Sequence, residues 1–248
     1  MKTRLRLVFL AGLMGLAQPA LAQVGESASA YDVRGAVMGM TPAEADAHFR
    51  ELGWEMMDEK AFIIEDTGEE FVASRTYAVT DPSQNQDKME LDFSRPPVAP
   101  HVIRLLRTYQ PYPADFMIQP KLLPLDQMEA SVIDKYGAAQ YRESRSAAEI
   151  YRWTSDPDAT RCASYHNGHF RIVPSSGRAP VPDCHGEHLA VILQFRMQNI
   201  GPTLTQATFE LVDVDEFRVD FTRFQSYLAD IQTQKQREQT QGAEAPPL

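Results

Sequence analysis

The stretch Gly39 to Trp54 constrains the fold more than any other, because both ends of a short helix are written into it. Thr41 can accept a hydrogen bond from the Glu44 backbone N–H, and Glu44 can reach back to the N–H of Thr41, which is a capping box. Pro42 falls at the first helical position, where its missing N–H costs nothing. Met40 can pack on Ala45 as a staple, and Gly53 can take the left-handed conformation that ends a helix. Ala45, Phe49 and Leu52 fall on one face and Asp46, Arg50 and Glu51 elsewhere. Such an apolar face packs a core, so the helix itself is expected to carry no site.

Strand signals follow. Ala61-Phe62-Ile63-Ile64, within Trp54 to Glu65, reads as a buried strand, and Asp66-Thr67-Gly68 as a tight turn. In Glu70 to Val79, the residues Phe71, Ala73, Arg75 and Tyr77 share a side. Lys88 to Phe93 alternates, with Met89, Leu91 and Phe93 facing one way, as in a half-buried antiparallel strand. Arg95-Pro96-Pro97 turns into a fourth strand, His101 to Tyr109.

The pattern then returns in weaker form. Asp126 and Glu129 read as a second capping box, with Met128, Val132, Ile133 and Tyr136 on one face and Gly137 as the stop. Strands are expected at Ile150 to Thr154, Leu189 to Met197 and Gln206 to Val212. In the middle one, Leu189, Val191, Leu193, Phe195 and Met197 face inward. Leu91, Phe93 and Pro100 stand 102 residues before Leu193, Phe195 and Pro202. This is read as an internal repeat. A third helix opens with a capping box of Asp213 and Glu216. It carries the stripe Phe217, Phe221, Phe224, Leu228 and Ile231, expected to lie on a sheet.

The organisation expected is therefore a signal peptide over 1–22, a flexible leader over 23–30 and a first helix-plus-sheet unit over 31–109. A Pro-rich connector (110–124) leads to a longer second unit with the C-terminal helix (125–233) and a disordered tail (234–248). The fold class is α+β: two helix-plus-antiparallel-sheet units, with either a sheet each or one continuous sheet between them, and an additional C-terminal helix.

Lys2, Arg4 and Arg6 form a basic head, Leu7 to Ala17 an apolar run too short to anchor, and Ala20-Leu21-Ala22 a cleavage site. The short, Ala-rich form resembles a Gram-negative signal peptide, so the expected location is the periplasm or outside the cell. No Cys follows the apolar run, so no lipid anchor is expected, and no other stretch is long and apolar enough to span a membrane. Cleavage leaves 21 basic against 34 acidic residues, a net charge of −13. That excess disfavours nucleic acid, whose binding relies on Lys and Arg at phosphates.

Cys162 and Cys184 are expected to form a disulfide in an exported chain. Between them Asn167-Gly168 signals a hairpin pairing Tyr165 with Phe170 and His166 with His169. The disulfide would draw His185, Glu187 and His188 toward it. The four histidines His166, His169, His185 and His188 are thus candidate zinc or copper ligands, although their spacing matches no specific metal motif and no cofactor is expected. No nucleophile elbow, phosphate-binding glycine loop, dinucleotide fingerprint or His-Glu-x-x-His occurs. The expectation is a non-enzymatic module binding a protein or peptide. A metal-binding protein and an enzyme of unrecognised type are the alternatives.

Asp32-Val33-Arg34-Gly35-Ala36-Val37-Met38-Gly39-Met40-Thr41-Pro42-Ala43-Glu44, running on to Leu52-Gly53, resembles the opening of the β-lactamase-inhibitor-like and outer-membrane assembly lipoprotein (SmpA/OmlA) superfamily. The resemblance implies one or two units of helices packed on antiparallel strands, used to bind other proteins. The lipoproteins' anchor Cys is missing here, and no inhibitory residue can be matched.

Overall fold

The computed structural model describes residues 31–79, 86–111, 123–155, 165–166, 169–170, 185–199 and 201–241. Ten strands and three helices lie among them, in an α+β arrangement dominated by one antiparallel sheet. Helix α1 (Pro42–Glu51) precedes a meander of β1 (Glu55–Ile64), β2 (Glu69–Ala78), β3 (Gln86–Phe93) and β4 (Val102–Gln110). Helix α2 (Leu125–Tyr136) precedes β5 (Tyr141–Arg145) and β6 (Ala148–Thr154). The two-residue strands β7 (Tyr165–His166) and β8 (His169–Phe170) form a separate hairpin. The chain then adds β9 (Glu187–Gln198), β10 (Gly201–Asp213) and helix α3 (Val214–Gln241). The strand order in the large sheet is β1-β2-β3-β4-β10-β9-β6-β5. The last strand therefore returns to the middle, where Arg104 to Tyr109 of β4 face Val212 to Ala207 of β10.

α1 has the expected ends. The Thr41–Glu44 capping box is made, Pro42 opens the first turn, and Gly53 follows at φ +75°. Ala45 and Phe49 are fully buried, with Phe49 stacked on Tyr77 of β2 at 4.5 Å between ring centroids. Leu52 caps the helix and is exposed rather than on the packed face. α2 corrects a second expectation. Its cap is Pro124, held by a β-bridge to Thr203, with no side-chain cap. Asp126 instead bonds the N–H of Gln127, and Glu129 pairs with Arg142. Val132 is buried, but Ile133 is exposed. On the face carrying α1 and α2, the sheet contributes Met89, Leu91 and Phe93, Leu105, Leu211, and Leu189, Val191 and Leu193.

β9 is buried on both faces from His188 to Ile192 rather than alternating, and Met197 is exposed at its far end. The polar β5 has no apolar alternation to announce it. α3 is capped by Asp213, which accepts the Glu216 N–H at 2.9 Å. Glu216 does not complete the box; it turns to His101 and Arg223. α3 packs against β10, β4 and β9 and runs on to the β1–β2 turn. Asp220, fully buried, accepts the Arg95 N–H at 2.7 Å and Nε at 2.8 Å. Further on, Phe224 meets Phe71, Tyr227 donates to Glu69, and Lys235 pairs with Asp66. The helix continues to Gln241, so the expected disordered tail is helical over 234–241. Good helix formers and the Lys235 and Gln234–Glu238 contacts account for the extension.

Two arginines of β4 bind the middle of the sheet together, one on each face. Arg104 donates to Asp92 of β3 at 2.9 Å and to Glu210 of β10 at 2.8 Å. Arg107 is gripped by Asp87 of β3 and lies over Phe209 of β10. Burial works against the Arg104 charge, but the two carboxylates outweigh it and raise its pKa above the ordinary arginine value. Glu210 is only 3% exposed, so removing Arg104 takes away the guanidinium that balances a buried carboxylate. Arg104→Met is expected to cost about 3–5 kcal/mol in urea unfolding, and adding Glu210→Leu to recover most of it. A single-variant loss below about 1 kcal/mol would contradict this role.

Candidate functional site

The outer strand β1 is the clearest departure from the sequence reading. Ala61 to Ile64 was expected to be buried, yet β1 is the edge strand and every residue of it except Ile64 is exposed. Phe62 and Ile63 are 55% and 65% exposed, and Met56 and Met57 are also exposed. Among the described residues nothing pairs with the outer edge of β1. Bulges between Met56 and Asp58 and between Lys60 and Ala61 interrupt the ladder, and Lys60 pairs with Glu90. These are ordinary protections of a free edge. They stop at Ala61. From Ala61 to Ile64 the strand is regular, facing Val72 to Glu69, and two of its apolar side chains, Phe62 and Ile63, stand exposed. The opposite edge, β5, differs: Arg142, Glu143 and Arg145 cover it with ion pairs.

Beside this bare stretch lies a groove of about 490 Å³ between the β1–β2 turn and α3. Phe62 leans on Phe71 at 5.9 Å, and Phe71 meets Phe224 edge-on at 5.6 Å. Arg95, anchored by Asp220, covers the Phe224 ring at 4.9 Å, and Leu228 closes the far side. Its rim is acidic, with Glu65 and Asp66 at the turn.

A second cavity, about 540 Å³, opens at the opposite ends of the strands, between α2 and the sheet. Its floor is Asp87, Arg107, Tyr109 and Phe209. Asp87 takes Arg107 Nε at 2.7 Å and Nη2 at 2.8 Å, a bidentate pair. The rim is a two-residue turn in which Val33 and Ala36 exchange backbone bonds. Arg34 and Gly35 sit at φ 59° and 80°, the left-handed pair such a turn demands. A larger residue at Gly35, already strained at φ +80°, would put its Cβ 2.9 Å from His48 Cε1 and force the His48 ring to shift. His48 Nε2–H donates to the Arg34 carbonyl at 2.9 Å. Asp32 accepts Gly35 N–H at 2.7 Å and Lys135 Nζ at 2.6 Å, while the Tyr136 hydroxyl donates to the Asp32 carbonyl. The turn is thereby clasped to α2 across the cavity mouth. Motif reading missed this set because Arg34, Asp87, Arg107 and Lys135 are scattered along the chain. The signal within reach was Arg107, a charge inside a strand of Val, Ile and Leu.

The histidine cluster fares differently. The β7–β8 hairpin pairs Tyr165 with Phe170 and His166 with His169, as the Asn-Gly turn required. The side chains of His166 and His169, like Cys162 and Cys184, lie outside the described residues. His185 Nδ1 bonds Asp215 at 2.8 Å, and His188 Nε2 lies 2.9 Å from the His185 carbonyl. Among the described residues no three His, Cys, Asp or Glu side chains gather as a metal site. No described helix is long and apolar enough to cross a membrane. Comparison with protein-family models, curated proteins and solved structures finds no match.

Burial pushes the Asp32 carboxyl up, but the bonds from Lys135 and Gly35 and the nearby charges of Lys135 and His48 outweigh it. Its folded pKa lies below the ordinary value, so the ionised clasp stabilises above about pH 4 and is lost as pH falls through the folded pKa. Asp32→Asn is expected to lower the denaturation midpoint at pH 7. The gap to wild type should close as the pH is taken below about 4. An unchanged gap at pH 7 and pH 3 would show that the clasp is not ionic.

Proposed function

We propose that this is an exported, non-enzymatic binding protein that takes up an extended segment of another protein or peptide along the β1 edge. The observation that carries the reading is the bare, regular run Ala61 to Ile64, with Phe62 and Ile63 exposed beside an apolar groove. A strand laid against such an edge gains main-chain hydrogen bonds, and alternate side chains find pockets. Of the five carboxylates in residues 55–66, Glu59 and Asp66 are taken by Arg75 and Lys235, which leaves Glu55, Asp58 and Glu65 along the edge, so the preferred segment is apolar at its centre and flanked by basic residues. The signal-peptide pattern supports a periplasmic or secreted setting.

The two-unit reading belongs with this proposal. α1 and α2 each precede four strands of the large sheet, in the order β1-β2-β3-β4 and β5-β6-β9-β10. The 102-residue offset carries Leu91 and Phe93 in the third strand of one set onto Leu193 and Phe195 in the third strand of the other. That supports a duplication, and with it a likeness to the inhibitor-like superfamily, whose members bind proteins.

A photo-crosslinking amino acid at position 63, in intact cells exporting the protein, is expected to give one discrete adduct. Phe62→Asp in the same chain should remove it, and a probe at Glu238 on the exposed end of α3 should give none. Absence of an adduct at 63, or the same adduct from 238, would refute docking at the edge.

A further inference from the structure

We propose that the cavity between α2 and the sheet is a binding site for a small amphipathic monoanion, a carboxylate on an apolar body. It is distinct from the β1 edge and lies at the other ends of the strands.

The charge balance of the cavity selects the head group. Three cations line it, Arg34, Arg107 and Lys135. Arg107 is matched in full by the bidentate Asp87, and Lys135 is held by Asp32 at 2.6 Å. Arg34 is left over. Its closest ion pair is a loose 3.8 Å approach to Asp87 Oδ2, an oxygen already taken by Arg107 Nη2. The lining thus carries a surplus of one positive charge, in a chain whose formal net charge is −10. A single carboxylate satisfies that surplus, since a guanidinium presents two parallel N–H groups to it. A cation would meet Arg34 unfavourably.

The walls select the body. Val79, Leu123, Met128, Val132 and Phe209 supply apolar surface, and the volume of about 540 Å³ falls inside the usual range for small-molecule pockets, roughly 300–1,000 Å³. The rim is pre-organised: the left-handed turn, the His48 bond to the Arg34 carbonyl and the Asp32–Lys135 clasp fix the backbone that bears Arg34. Little ordering remains to be done on binding. The Arg34 guanidinium also stands 6.0 Å from the Trp54 ring, so its movement toward an anion is readable in tryptophan fluorescence.

The test titrates the mature protein with octanoate, octylamine and octan-1-ol by calorimetry, with tryptophan emission followed in parallel. Octanoate is expected to bind saturably and to change the emission, while the amine and the alcohol bind at least about tenfold more weakly, a difference of about 1.4 kcal/mol or more. Arg34→Gln, at a half-exposed side chain, should weaken octanoate by at least tenfold with an unchanged melting temperature. Ser131→Glu, on the exposed α2 wall, should do the same by adding a negative charge. Phe62→Asp at the β1 edge should leave octanoate binding unaltered. No saturable octanoate binding, equal binding of amine and carboxylate, or full affinity in Arg34→Gln would overturn the proposal.

Discussion

The pairing of β4 with β10 is the contact on which the rest of the molecule depends. Without it the strands would be two separate four-stranded meanders, each with two edges. The seam is secured above and below by one strand. Arg104 reaches from β4 to Asp92 and Glu210 on one face, and Arg107 joins Asp87 and covers Phe209 on the other. Charges this far from water persist only when each has a partner. Their arrangement therefore fixes the register of β3, β4 and β10 together, and a slip by one residue would leave carboxylates buried and alone.

The same seam places both candidate surfaces. With β4 and β10 in the middle, β1 and β5 become the edges; ion pairs cover β5, whereas on β1 they reach only as far as Lys60. α3 leaves from the end of β10 and must travel across β4 and β3 to reach the β1–β2 turn, where its rings build the groove beside the bare edge. At the other strand ends Asp87 and Arg107 form the floor of the second cavity. A single charged strand thus joins the two halves of the sheet and lines the cavity proposed to take a carboxylate.

Local features were legible in the sequence. The caps of α1, the alternation of β3 and the pairing of Tyr165 with Phe170 and His166 with His169 each depend on neighbouring residues, and each appears where the spacing put it. What could not be read depends on partners distant in sequence. Ala61-Phe62-Ile63-Ile64 has the composition of a buried strand, and its exposure follows only from its place at the rim of the sheet. Pro124 outcompetes Asp126 as the cap of α2 because a bridge to Thr203 fixes the entering backbone. β5, a run of Tyr, Arg, Glu and Ser, is a strand because β6 pairs with it. The Arg34 cavity needs four elements folded before its residues meet.

Amide hydrogen exchange of the folded protein tests this account most directly, because it reports the seam and the edge in one measurement. The amides of β4 and β10 between Arg104 and Tyr109 and between Ala207 and Val212 should be the slowest, exchanging only by global unfolding, with the outward amides of Ala61 to Ile64 among the fastest in any strand. A seam that exchanges as fast as the flanking strands, or a β1 edge as protected as β4, would contradict it.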